Sequence, residues 1–168
     1  MWYVIQTTTG KEEDVKLMIE KTVPRALYED CKIIYSQRKR KYLQKWHHEK
    51  RLVFPGYIFL ITDNIDDVFI QLKNVPAMTK LLGTGGQILP LYEEEVQLLK
   101  RLSGDDGVIE MSYGIQVGDK VTITYGSLKG LESTIRKIDR HKKKGYIEVE
   151  ILNEMRTIEI GLEIISKS

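Results

Sequence analysis

Cysteine is nearly missing from this chain: Cys31 stands alone. A single thiol excludes an internal disulfide and most cysteine-based zinc frameworks, and it fits a reducing cytoplasm. Long apolar runs are also lacking. None approaches the roughly 20 residues needed to cross a bilayer, and Met1-Trp2-Tyr3-Val4-Ile5 is too short, and has no preceding cations, for a signal segment. A cytoplasmic protein with no membrane partner is expected. There is little excess charge: Lys+Arg 26 against Asp+Glu 24 leaves a net +2. A case for nucleic acid must therefore rest on clustering of charge. No paired carboxylates stand near a nucleophile or base, and "GTGGQ", Gly83 to Gln87, lacks the Lys-Ser/Thr ending of a phosphate loop. Neither an enzyme, a cofactor nor a metal site is expected.

What is present suits a folded protein with a real core. The chain has 168 residues, 42% hydrophobic and 30% charged, enough for one medium domain or two small ones. "WYVIQT" reads as a strand, and Glu12, Glu13 and Asp14 suit the positive end of a helix that carries Val15, Leu17, Met18 and Ile19 and stops before Pro24. "CKIIYSQRKR" reads as a strand leaving the core and "RLVFPGYIFLIT" as the strand that returns, with an edge position or a bulge expected at Pro55-Gly56. Ile65, Val68, Phe69 and Leu72 recur at helical spacing behind an Asp63-Asn64 cap. "AMTKLLG" is a short strand and "LYEEEVQLLKRL" a third helix. The order β-α-β-β-α-β-α predicts an α+β fold, a split βαβ, ferredoxin-like sandwich, over residues 1–102.

Residues 103–114, "SGDDGVIEMSYG", read as a linker. From 115 to 168, "QVGDKVTIT", "STIRKID", "GYIEVEIL" and "MRTIEI" alternate at period two between turn signals. That pattern predicts a small SH3-like β barrel.

The densest cluster of charge lies in the first part. Arg38, Lys39, Arg40, Lys41, Lys45, Lys50 and Arg51 surround Tyr42, Trp46 and the His47-His48 pair, with Glu49 the only acid. Lysines and arginines can neutralise phosphates, and Tyr42 and Trp46 offer faces to unpaired bases. A solvated hairpin would show the same charge run. His47 and His48, adjacent in a strand, point to opposite faces and do not make a metal site. A second basic cluster, Arg140, Lys142, Lys143 and Lys144, sits at a hairpin tip, where lysines also serve to blunt sheet edges.

"WYVIQTTTG", "FPGYIFL" and "VGDKVTITYGSLKGLESTIRKID" resemble, in order and spacing, the NusG family of transcription factors. The first two are similar to its amino-terminal domain and the third to its KOW motif, across almost the whole chain. The resemblance implies a NusG N-terminal-like domain over 1–102 and a KOW domain over 115–168. It also implies docking on the clamp helices of RNA polymerase, a role that falls here on Tyr57 and Phe59, while Val68 and Phe69, opening the next helix, align with the family region that faces the other pincer of the polymerase. Period two puts Tyr57 and Phe59 on one face, and ordinary core would place them there as well.

The general factor's KOW domain meets Rho or a ribosomal protein through an Ile-Phe-Gly-Arg-like strand end. This chain has Ile151-Leu152-Asn153-Glu154 there, so the Arg position is acidic. With the basic arm, this resembles the LoaP group of antiterminators, recruited by an RNA hairpin in a leader transcript. The expectation is a monomeric processive antiterminator. The alternatives are a general NusG-like elongation factor without RNA specificity and, in another class, a KOW-containing ribosome-associated structural protein.

Overall fold

The structure is a computed structural model that describes residues 1–75, 80–81 and 90–168. It is mixed α+β, with three α-helices among the described residues, and divides into two compact units. One comprises Met1–Ile33 with Phe54–Val96, the other Ile34–Val53 with Gln97–Ser168. The "GTGGQ" stretch and most of "AMTKLLG" lie outside the described residues.

In the first unit, β1 (Trp2–Gln6) leads through α1 (Glu12–Thr22) to β2 (Asp30–Lys32). After β3 (Tyr35–Tyr42) and β4 (Lys45–Leu52), which belong to the second unit, come β5 (Tyr57–Ile61), α2 (Ile65–Leu72) and β6 (Lys80–Leu81). The sheet runs β2-β5-β1-β6 and is antiparallel throughout, the order of the split βαβ read from the sequence. Apolar residues fill both faces of β5, so it reads as a continuous hydrophobic run, and all five of its residues are buried. Val15 and Ile19 of α1 and Val68 and Leu72 of α2 are buried with it, as the helical spacing predicts. Asn64 occupies the N-cap of α2 but makes no side-chain cap bond. Its own N–H donates instead to Thr62 Oγ1 at 2.8 Å.

Both strands expected around the arm are broken. "CKIIYSQRKR" divides into β2 and β3 at Ile33-Ile34, which are buried. "RLVFPGYIFLIT" divides into β4 and β5, and Pro55-Gly56 lies in the turn between them. The position of β5 is therefore a correction: it is an interior strand. Proline costs it no ladder bond because the ladder starts at Tyr57. Gly56, at φ +80°, takes the left-handed conformation that glycine adopts without strain.

The second unit holds two sheets. One is three-stranded, β4-β3-β7, where β7 (Val108–Ile109) pairs parallel to Tyr35 and Ser36. Here β3 and β4 form a hairpin closed by Leu43 and Gln44, at φ +49° and +66°. Those two positive φ values match the right-handed twist of the flanking strands. The other sheet is built from β8 (Ser112–Val117), β9 (Lys120–Tyr125), β10 (Ile135–Asp139), β11 (Lys144–Ile151) and β12 (Glu154–Lys167) in the order β10-β11-β12-β8-β9. The helix α3 (Glu93–Ser103) precedes β7. Residues 103–114, read as a linker, thus contain β7 and the start of β8, and "QVGDKVTIT" turns at Gly118-Asp119 to serve two strands.

The longest strand organises this unit. The first part of β12 pairs with β11 and the last part runs parallel to β8, with a register shift between Ile164 and Ser166. Gly161 marks the change of partner and the crossing of β3: a Cβ there would collide with the Gln37 carbonyl oxygen and the Met111 sulfur.

Candidate nucleic-acid interface

The alternation of β12 puts Glu159 and Glu163 on either side of Gly161, and each carboxylate holds one cation from the arm and one from the 140–144 tip. Glu159 meets Arg38 Nη1 at 3.7 Å and Lys144 Nζ at 3.2 Å. Glu163 meets Lys39 Nζ at 3.1 Å and Lys143 Nζ at 2.6 Å. Two basic segments about a hundred residues apart in sequence are thereby fastened to one strand.

Partial burial works to raise the pKa of both glutamates, but the hydrogen bonds and charges of their lysines, with Arg38 at Glu159, outweigh it. Both carboxyls stand below the usual range. Arg38 shifts down from the ordinary arginine value chiefly through burial, which the Glu159 charge opposes. Its Nε is buried and has no hydrogen-bond partner.

A groove of about 310 Å³ opens over these ion pairs, lined from the arm by Arg38, Lys39, Arg40, Lys41, Trp46, Glu49 and Arg51, and from the tip by His141, Lys142 and Lys144. Arg51 is turned toward Glu49 at 2.9 Å. Arg40, Lys41 and Lys142 carry no ion pair among the described residues. They put uncompensated charge on the groove while its buried cations are held by glutamates, an arrangement that attracts a polyanion.

Eight of the fifteen basic and aromatic candidates read from the sequence therefore line one groove. The others do not line it. Tyr42 and His47 meet edge to face at the hairpin end, with centroids 5.9 Å apart. Lys45, His48 and Lys50 are exposed on β4. Lys143 lies over the Trp46 ring, 4.1 Å from its centroid. Arg140 lines a separate cavity of about 480 Å³ with Arg136, Lys137 and Lys167. His141 and Glu49 of the groove, and the glutamates of β12, escaped the sequence reading. An isolated acid in an alternating strand looks like any solvent-facing position.

The four other candidates lie in the first unit. Phe59 and Val68 have no exposed surface and Tyr57 is 7% exposed. Phe54 stacks on Tyr57 and meets Phe59 edge to face, with centroids 6.4 and 5.5 Å away. Phe69 is half-buried under Lys73, next to exposed Ile70.

No cluster of His, Cys, Asp or Glu among the described residues could hold a metal ion, and no described helix is long and apolar enough to cross a membrane. A split βαβ unit and a strand-rich unit with a basic groove define an α+β protein with a candidate polyanion interface, and comparison with known proteins makes the class specific. The family model described as transcription termination factor nusG matches residues 1–100, and the chain belongs to the NusG family of transcription termination/antitermination factors. It is 29% identical to the NusG of Rickettsia prowazekii, over 99% of this chain and 90% of that protein. It is 25% identical to the NusG of Bacillus subtilis, over 99% and 97%. A solved structure concerning domain interaction in Thermotoga maritima NusG matches with a TM-score of 0.57 and 25% identity, covering 97% of this chain and 93% of that one.

Proposed function

We propose that this NusG-family factor is a specialised paralogue, similar to the LoaP group, that binds a hairpin in a leader RNA and keeps RNA polymerase from terminating. The observation that carries the reading is the convergence of the arm and the 140–144 tip on one groove. Solvated lysine clusters have no reason to share a cleft, and the cations this cleft leaves without an ion pair among the described residues, Arg40, Lys41 and Lys142, are the ones a polyanion would meet. In this reading residues 1–102 form the NusG N-terminal-like domain and 115–168 an SH3-like KOW domain, with 103–114 joining them.

Polymerase docking, through the clamp helices, is assigned to the β5 and α2 side of the first unit. Phe69 and Ile70 offer surface there, and Tyr57 and Phe59 take part only if that side opens. Replacing Tyr57 and Phe69 with Ala in a folded protein is expected to abolish co-purification with polymerase.

The relatives named above are general NusG proteins, so a general factor without RNA specificity is the competing reading. A titration of the full chain against structured leader RNAs and scrambled controls, at several salt concentrations, separates the two. Neutralising Arg40, Lys41 or Lys142 should lower the salt slope by about 0.7 to 0.9 for each phosphate left unpaired. Equal affinity for hairpin and scrambled RNA, or an unchanged slope, would favour the general factor.

A further inference from the structure

Beside the groove, the five-stranded sheet carries a row of side chains that its core does not explain. Lys143 precedes β11, and its carbonyl accepts from Leu162 N–H. Glu163 follows on β12, Tyr113 lies opposite it on β8, and Tyr125 lies opposite Tyr113 on β9. Neighbouring strands lie about 4.8 Å apart, so the row extends roughly 14 Å across the strands.

The arm completes it at two points. Lys39 Nζ sits 4.9 Å from the Tyr113 ring centroid while bonding Glu163, and Trp46 takes Lys143 on its face. Two ammonium groups held by Glu163 are thus flanked by Trp46 on one side and by Tyr113 and Tyr125 on the other. Tyr125 is 64% exposed and Trp46 38%, with the Tyr113 and Tyr125 centroids 6.2 Å apart. Burial therefore does not account for Tyr125 and Trp46, and Tyr113 is half-buried between them.

We propose that this row is a track for single-stranded RNA flanking the hairpin, on which bases stack against Tyr125, Tyr113 and Trp46 while Lys39 and Lys143 hold phosphate. The proposal rests on the RNA-binding reading of the adjacent groove. Glu163, which accepts from both lysines, fills the anion position of the empty track and is displaced by a phosphate when RNA enters. Rings are sequence-tolerant platforms, since every base has a π-face. An acidic peptide would use the lysines but has no comparable use for three rings, so charge and aromaticity together select nucleic acid.

The test uses the full chain and fluorescence anisotropy with three labelled RNAs: a blunt hairpin, the same hairpin with an unpaired tail of about six nucleotides, and the tail alone. The tail is expected to tighten hairpin binding by about fivefold or more, the worth of one stacked base. Tyr125→Ala should reduce that gain by about fivefold or more without changing blunt-hairpin affinity, and Tyr125→Trp should restore it. Glu163→Gln, which leaves the arm seated through Arg38 on Glu159, should strengthen tail binding and steepen its salt slope by about 0.7 per phosphate newly engaged.

Equal affinity for blunt and tailed hairpins in the wild type would overturn the track and leave the groove's role standing. Binding of the tail alone, dependent on Tyr125, with no hairpin preference would support the track and remove the hairpin reading. Failure of all three RNAs to bind removes both. Competition by polyglutamate as effective as by the tail, or a Glu163→Gln variant that loses tail binding, would overturn it by showing a mere anion site or a structural glutamate.

Discussion

The backbone of Gly161 in β12 lies against the carbonyl oxygen of Gln37 in β3, so closely that a Cβ would overlap that oxygen and the Met111 sulfur. The sulfur sits on a flexible chain and can move. The carbonyl belongs to the backbone of a strand paired with β4 along its whole length and moves less readily. Gly161 is what lets the arm lie across β12 with Arg38 and Lys39 within reach of Glu159 and Glu163.

Gly161→Ala is therefore expected to destabilise the chain by about 1–3 kcal/mol, the usual cost of overpacking. No groove cation is removed from the chain, yet RNA binding should fall because the arm that carries most of them loses its seat. A lowered urea midpoint at unchanged m, together with weaker RNA binding, checks it. Unchanged affinity would show that the arm binds without that seat.

In the first unit, Glu12 is buried, and its two oxygens accept from the Gly10 N–H at 2.7 Å and the Gly56 N–H at 2.8 Å. One carboxylate thereby fixes the loop after β1 and the turn before β5. Glu12→Ala leaves both donors unsatisfied and should cost on the order of 1–3 kcal/mol. Glu12→Gln should be nearly as damaging, because an amide has a single acceptor oxygen and its NH₂ would face the second donor. Thermal melts of both variants decide it: full stability in Glu12→Gln would mean that one of the bonds carries no weight.

The first unit was largely legible in the sequence because its signals are local and periodic. Val15 and Ile19, or Val68 and Leu72, repeat at helical spacing, and they are the residues found buried. The β3–β4 turn was not legible, since Leu43 and Gln44 adopt positive φ without the Gly, Asn or Asp that usually announces it. Strand β7 was hidden because its two residues pair with a strand some seventy positions earlier, and a two-residue run has no period. The basic segments were visible as charge, but their convergence was not. It depends on Glu159 and Glu163, which read as ordinary outward positions until β12 is seen to pass under the arm.

Cys31 gives a probe of the first unit. It lies in β2, 3% exposed, and burial pushes its thiol up to about 12. Reactivity belongs to the thiolate, so the folded chain should resist a disulfide-exchange reagent at neutral pH and react fast in urea. Because β2 is an outer strand of its sheet, slow residual labelling should follow local opening, and Glu12→Ala should accelerate it. Rapid labelling of the native chain would contradict this burial.

The junction of arm and β12 should loosen in acid. Glu159 and Glu163 have folded-state pKa values below their unfolded ones, since the bonds and charges from Lys144, Arg38, Lys143 and Lys39 outweigh the opposing effect of partial burial. A group with a depressed folded pKa binds fewer protons when folded. Its contribution to stability is fully present above the unfolded value, about 4.3 for a glutamate, and is lost as pH falls through the folded value. Above the unfolded value the arm should therefore stay seated, and as pH falls below it, through the lower folded values, the arm should release. Trp46 reports on this directly, because the Lys143 ammonium that Glu163 holds lies on its ring. In a Trp2→Phe background, Trp46 emission should be flat from pH 7 to 5 and shift on further acidification, before the far-ultraviolet signal of the strands is lost. Glu159→Gln with Glu163→Gln should remove that step. A Trp46 transition that persists in the double variant, or one centred above pH 5 in the wild type, would mean that other groups fasten the arm.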